Sequence, residues 1–387
     1  MNASLPPLSD VEAIARMLVA IPSVNPVHDP ASPGTPAMIE QVARFGEANG
    51  FEVTRFPVPG GNLQNLVLRL ENGPGRHLLY NGHLDTVSVE GMTIDPFGAE
   101  IADGKLWGRG STDMKGPVAA LLSAAGRLLR QKERWSGTLT LGFTPDEEVA
   151  ADGIRALLTQ IPRPDFAIVG EPSGLAPIRG CKGGVRLALT AHGLAAHSSR
   201  PERGRSAVVA MSRAVLALQG YFTEVLGAIQ RPQFGSSTGS IGLIWGGSGI
   251  NIVPETCTIH IDIRIVPGQD PQETVDRLES WFRGRFPDGA EGIRWTLEVL
   301  RFDPAFEIAA DHPFTRLVCD TLGYTEEVGV AFYCCDASKI AAIDIPCLIL
   351  GPGEIAQAHT ADEFLALDAL HRGVDLYERL ALRLLGS

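Results

Sequence analysis

The sequence predicts an α/β fold with a mostly parallel sheet, interrupted by an inserted ferredoxin-like (βαββαβ) domain. Three observations carry this. Toward both ends of the chain, apolar strand patterns alternate with helical ones, the order of a parallel sheet with crossover helices. From Val185 to about Phe302 the order changes to strand, helix, strand, strand, helix, strand. Residues of metal-ligating type stand just after four of the apolar strands. At 387 residues the chain is also long for one core. The expected domains are 1–182, 183–302 and 303–387, the first and last forming one unit split by the second.

In order, 10–21 reads as an amphipathic helix capped by Asp10 or Ser9, and 36–49 as a second that stops at Gly50. Strands follow at 52–56, 65–70 and 78–82, rich in apolar and β-branched residues. The stretch 114–132 is Ala- and Leu-rich on nearly every side, which predicts a buried helix. Next come a strand at 138–143, a helix at 150–160 and a strand at 166–169. In the insert, strands are expected at 185–191, 239–245, 256–265 and 293–300, with helices at 206–226 and 271–286. The first texture then resumes: helices at 313–322 and 336–342, a strand at 346–350 and a closing helix at 361–385. No repeat or low-complexity segment appears.

The polar residues at the strand exits are the strongest signal. His83 and Asp85 follow one strand, Glu147 and Glu148 another, Glu171 a third, and His359 comes soon after a fourth. Asp113 stands just before the buried helix. Taken alone, His83 and Asp85 are no more than a surface histidine with a hydrogen-bond partner. In a parallel sheet, however, ligands gather beyond the carboxyl ends of the strands. So many carboxylates at one edge repel each other unless cations neutralise them. Imidazoles with carboxylates suit zinc or a similar first-row ion. The donors are too many for one open catalytic zinc and fit two ions about 3.5–4 Å apart with one carboxylate shared.

Composition narrows the class. Hydrophobic residues make up 44% and charged residues 20%, the balance of a globular protein. A net charge of −12 and a pI near 5.3 argue against nucleic-acid or anionic-membrane partners. No apolar run is long enough to span a bilayer. The start, MNASLPPLSDVEAIARML, lacks a basic region and meets acids early, so no signal peptide is expected. The 6 cysteines form no CxxC pair or disulfide framework, which points to reduced thiols in the cytoplasm.

The segments HLDTV, GRGSTDMKG, TPDEE, IVGEPSG, GLAAHSSRPERGRSA, GGSGINIVPE and GPGEIAQAHTADEF resemble, in that order, the motifs of the dinuclear-zinc M20 peptidase and amidohydrolase family. The likeness covers nearly the whole chain. It is most marked toward the acetylornithine deacetylase and succinyl-diaminopimelate desuccinylase branch. The resemblance implies a zinc-hydrolase catalytic domain, an insert that serves as lid and dimerisation domain, and two Zn²⁺ per subunit, with Co²⁺ able to substitute. It makes Asp113 the carboxylate shared by both ions. His83 and Glu171 complete one ion's ligands, and Glu148 and His359 the other's. Asp85 holds the far nitrogen of His83, and Glu147 is the general base. In the insert, His197 matches the lid histidine that binds the substrate carbonyl oxygen. Arg264 matches the anchor for a substrate carboxylate, and Asn251 matches a residue of the substrate contacts. Without the resemblance these read as a loop histidine, a strand-edge solubiliser and a turn former.

Other signals carry less. Residues 235–239 fit GxSxG, but without the strand and helix of a serine elbow. Residues 351–356 fit GxGxxA, but no helix opens there. His28, His77, His192, His260, His312 and His371 lie outside the matched motifs and read as structural or solvated. Where deacetylases of the family tend to carry Cys-Thr-Glu-Ala, this chain has Cys334-Cys335-Asp336-Ala337-Ser338. The shorter Asp336 leaves the substrate's side chain open, and the two cysteines serve equally well as core packing. The expected activity is metal-dependent hydrolysis of the amide bond of an N-acyl amino acid. The alternatives are an exopeptidase or dipeptidase with the same metals, or an inactive binding protein on this scaffold. The expected partners are a small-molecule substrate and a second copy of the chain.

Overall fold

The computed structural model describes residues 5–386; the first residues of the stretch tested for a signal peptide lie outside this range. The chain divides into two compact units. One runs to Gly180 and takes up again at Ile308–Gly329 and from Cys335 onward. The other is Cys181–Glu307 with Val330–Cys334. The return of 330–334 to the insert has no pattern in the sequence to announce it. Among the described residues no helix is long and apolar enough to cross a membrane.

The centre of the first unit is four parallel strands, in the order Gly137–Thr144, His77–His83, Phe166–Val169, Cys347–Ile349. Antiparallel strands Gln64–Asn72 and Glu52–Pro57 extend one side. Every residue of His77–His83 is buried, because helices cover both faces of a parallel sheet. That burial is why Leu78, Leu79 and Tyr80 read as a continuous apolar run instead of an alternating pattern. Helix Gly116–Leu129 packs against Leu367–Leu385 and Val11–Val19. Asp10 caps the first helix by accepting from the Ala13 N–H at 3.0 Å.

Two sequence expectations need correction. The closing helix is Leu367–Leu385, not 361–385, because Phe364–Ala366 pairs as a strand with Lys105–Trp107. That strand and Glu100–Ala102 form a small sheet that lacks any clear alternation to betray it. The buried helix begins at Gly116, not 114, because Asp113 and Met114 leave helical backbone geometry.

The second unit is an antiparallel sheet in the order Thr238–Gly246, Thr256–Ile265, Gly183–His192, Arg294–Asp303. Helices Ala207–Tyr221 and Pro271–Arg285 pack on it, which makes the βαββαβ arrangement. Alternation sets the register: Cys257, Ile259, Ile261, Ile263 and Ile265 are buried while the residues between them are less so. Each such side chain stabilises the unit by roughly 1.5–3 kcal/mol relative to exposure. Ser206 and Asp270 cap the two helices through the N–H groups of Val209 and Glu273.

Candidate metal centre

The four parallel strands place the site. His83 ends one, Glu147 and Glu148 follow the next in space, Glu171 follows the third, and His359 comes after the fourth. Asp113 enters from the bend before helix Gly116–Leu129, where its peptide bond to Met114 is cis. Two glycines make room for that bend. A Cβ on Gly82 or on Gly170 would stand 2.8 or 2.9 Å from Cε of Met114.

Asp113 faces both imidazoles. Its Oδ1 lies 2.9 Å from Nε2 of His83, and its Oδ2 lies 3.3 Å from Nε2 of His359. Oε1 of Glu171 is 3.8 Å from Nε2 of His83, and Oε1 of Glu148 is 3.1 Å from Nε2 of His359. Candidate ligand atoms lie within 4.8 Å of one another in two groups: His83, Asp113 and Glu148, and His83, Glu147 and Glu171. Glu147, read from the sequence as a base and not a ligand, therefore stands in a ligand-like position. His83, Asp85, Asp113, Glu147 and Glu171 are all buried.

Asp85 meets His83 and reaches beyond it. Nδ1 of His83 lies 2.9 Å from the backbone carbonyl oxygen of Asp85, while the nearer oxygen of its carboxylate is 3.5 Å away. The carboxylate also accepts from the N–H of Glu147 at 3.0 Å, the N–H of Glu148 at 3.3 Å and the side-chain amide of Asn25 at 3.0 Å. It orients the glutamate pair.

Electrostatics show a strained set of acids. Burial pushes the carboxyl groups of Glu147, Glu171 and Glu148 upward; Asp113 adds to the rise at Glu171 and Glu148, and Asp336 at Glu147. Burial also raises Asp113, but hydrogen bonds from His359 and His83 more than offset this and hold it far below the usual range. His359 is pushed up to about 10 by its hydrogen bonds with Asp113 and Glu148. For His83, burial lowers the pKa, yet Asp113, Asp85 and Glu171 raise it well above the usual value. Packing this many acids out of water is costly unless cations compensate. Imidazole nitrogens and carboxylate oxygens converging from separate elements are a donor set that suits first-row divalent ions. The residues fit a metal centre.

The sequence model of peptidase family M20/M25/M40 matches residues 79–383. The chain belongs to this family. Acetylornithine deacetylase of Proteus mirabilis is 35% identical over 376 residues, covering 94% of this chain and 93% of that one. An M20 family metallo-carboxypeptidase from Sulfolobus solfataricus shares the fold at a TM-score of 0.77 and 16% identity, covering 97% of this chain and 99% of that one. A dinuclear metal binding peptidase of the M20 family from Bacillus subtilis does so at a TM-score of 0.69 and 16% identity, with 98% of each chain covered. As an M20 protein with these donors, the chain is a metal-dependent hydrolase of amide bonds, a deacylase or an exopeptidase.

The remaining sequence-derived residues belong to the second unit. His197 pairs with Ile252 in a short ladder, and its Nδ1 lies 2.8 Å from Oγ of Ser199. Asn251 is exposed, and its carbonyl oxygen accepts from the Ser198 N–H at 2.9 Å. The structure thus brings His197 and Asn251 together. Arg264 lies on the strand Thr256–Ile265, its guanidinium held by Asp262 at 2.6 and 3.2 Å.

Sequence reasoning missed Glu363 and Asn25. Glu363 lies inside the matched run GPGEIAQAHTADEF, so a buried acid there was open to notice. Asn25 gave no signal beyond a turn. Asp336, flagged as a departure, is buried, and its Oδ2 accepts from Oγ1 of Thr144 at 2.9 Å at the exit of a central strand.

Proposed function

We propose that this protein hydrolyses the amide bond of an N-acyl amino acid, releasing a carboxylic acid and a free amino acid. The observation that carries the reading is Asp113, with one oxygen toward His83 and the other toward His359, at distances of 2.9 and 3.3 Å. That geometry supports a carboxylate shared by two ions. Asp113, His83 and Glu171 would hold one, and Asp113, Glu148 and His359 the other. Zinc is the ion proposed, with cobalt able to replace it. A bound ion pair supplies Lewis acidity, polarising the carbonyl and lowering the pKa of water.

The chain's own residues supply the rest. Glu147, its carboxyl pushed up chiefly by burial, would take a proton from the attacking water and deliver it to the leaving nitrogen as the C–N bond breaks. Asp85 would fix the backbone from which Glu147 extends. His197 would donate to the carbonyl oxygen as negative charge develops there. Arg264 would take the α-carboxylate in a forked contact, and Asn251 would line the substrate's path. The relatives named for acetylornithine deacetylation support N-acyl amino acids as the substrate class. Asp336 leaves the side chain open. We place the enzyme in the cytoplasm on the spacing of its cysteines.

A homodimer formed through the insert completes the reading. Leu243, Ile244 and Trp245 are exposed on the edge strand Thr238–Gly246, and Val209 and Leu216 are exposed on helix Ala207–Tyr221. A two-fold pairing would cover them. The deciding experiment for the activity is a substrate panel of N-acetyl, N-succinyl and N-formyl amino acids against dipeptides, assayed with zinc or cobalt. Turnover of acyl amino acids above dipeptides supports the proposal; the reverse makes the protein an exopeptidase.

A further inference from the structure

Glu363 is fully buried four residues beyond His359, and all of its polar contacts reach the loop that carries Asp113. Its Oε2 accepts from Nη1 of Arg109 at 2.7 Å and from the Gly110 N–H at 3.0 Å. Its Oε1 accepts from the N–H groups of Thr112 at 2.9 Å and Asp113 at 3.0 Å. Around it the two segments are joined further. The Gly108 N–H donates to the Glu363 carbonyl at 3.1 Å, and Oγ1 of Thr112 donates to the Phe364 carbonyl at 2.6 Å. One buried carboxylate thus fastens the backbone of Asp113 to the segment that presents His359.

Resting on the dinuclear reading, we propose that Glu363 is a positioning residue for the metal centre. It controls the ion held by Glu148 and His359 more than the ion held by His83 and Glu171. The asymmetry follows from the contacts. Asp113 serves both ions, but His359 serves only one, and Glu363 joins those two ligands to each other. His83 and Glu171 leave their own strands, and the Asp85 carbonyl accepts from His83, so they stand without Glu363. Partners that orient metal ligands change metal affinity by about 10–100-fold when lost.

The substitution Glu363→Gln is a sharp probe. Each carboxylate oxygen accepts from two N–H donors, so an amide has to turn its NH₂ against one pair. Glu363→Asp keeps the charge beside Arg109, but its shorter arm falls back from the amides. Metal-free wild type and both variants are titrated with Co²⁺, followed by visible absorbance and calorimetry. His359→Ala supplies the signature of a lost second site. The expected result is two ions on wild type, a nearly unchanged first ion on the variants, and a second ion weakened about 10–100-fold with the His359→Ala signature. Unchanged binding of both ions overturns the proposal, as does equal weakening of both. Loss of cooperative melting in both metal-free variants also overturns it, making Glu363 a folding residue. Fewer than two ions on wild type overturns the dinuclear reading itself, and this inference with it.

Discussion

The backbone N–H of Glu147 donates to Oδ1 of Asp85 at 3.0 Å. The other oxygen of Asp85 takes the N–H of Glu148 and the amide of Asn25. Asp85 is thereby a holder of the acidic pair, and it meets His83 through its carbonyl at 2.9 Å and its carboxylate at 3.5 Å. Asp85→Asn replaces one acceptor by an NH₂ group facing backbone donors. The expected outcome is a fall in kcat of about 10–100-fold, with metal content unchanged. An unaltered kcat would show that the orientation of Glu147 does not depend on this contact.

Glu147→Gln separates a base from a ligand. The expected outcome is a kcat lower by about 10²–10⁴-fold, with metal per chain, measured by atomic emission, near that of wild type. Glu147 shares a cluster with His83 and Glu171, so the result is not trivial. Loss of metal would mean that Glu147 is a ligand and Glu148 the base.

Metal binding should release protons. His359 is held near pKa 10 by its hydrogen bonds with Asp113 and Glu148, so without metal it is charged at neutral pH. Burial raises the carboxyls of the proposed ligands Glu148 and Glu171 as well. A ligand has to shed its proton before coordinating. Calorimetric titration with zinc, in buffers of different ionisation enthalpy, should give a slope corresponding to net proton release. A slope of zero would count against these residues as the ligands.

His77 should contribute a loss of stability on mild acidification, opposed in metal-free protein by the raised carboxyls of Glu147, Glu148 and Glu171. This histidine is buried, with Nε2 2.8 Å from Oγ1 of Thr140. Burial lowers its pKa below the ordinary 6.5, against a smaller opposing effect of the Arg163 carbonyl. The unfolded chain therefore binds the proton first as pH drops. The contribution is fully present above pH 6.5 and is lost as pH falls toward the folded-state value. Urea midpoints of metal-free protein, taken from neutral pH down to about pH 5, should move in favour of His77→Gln relative to wild type as pH falls. A constant difference between the two would assign the effect elsewhere.

Subunit mixing tests the role proposed for His197. His197→Ala and Glu147→Gln chains, each inactive alone, are combined under conditions of subunit exchange. If His197 serves the partner's metals, about a quarter of wild-type activity per total site returns, since half the dimers are mixed and each has one intact site. No recovery despite proven exchange would assign His197 to its own subunit or remove it from catalysis.

By itself, the sequence determined the elements and the identity of the chemistry. Alternating β-branched residues and buried apolar runs are local patterns, so strands such as Thr256–Ile265 and helices such as Pro313–Leu322 are legible at the residue level. His83, the Glu147–Glu148 pair, Glu171 and His359 were legible because each follows a strand, and the carboxyl ends of parallel strands share one edge. Only the tertiary structure decided how these residues divide their bonds. Asp85 turning to the amides of Glu147 and Glu148, and Glu363 gripping the Asp113 loop from 250 residues away, are contacts between distant segments. The same is true of Phe364–Ala366, whose strand conformation depends on its partner Lys105–Trp107. Propensity and periodicity describe a residue's neighbours along the chain. A buried carboxylate is instead satisfied by whatever donors the fold brings to it, and no local pattern records which ones arrive.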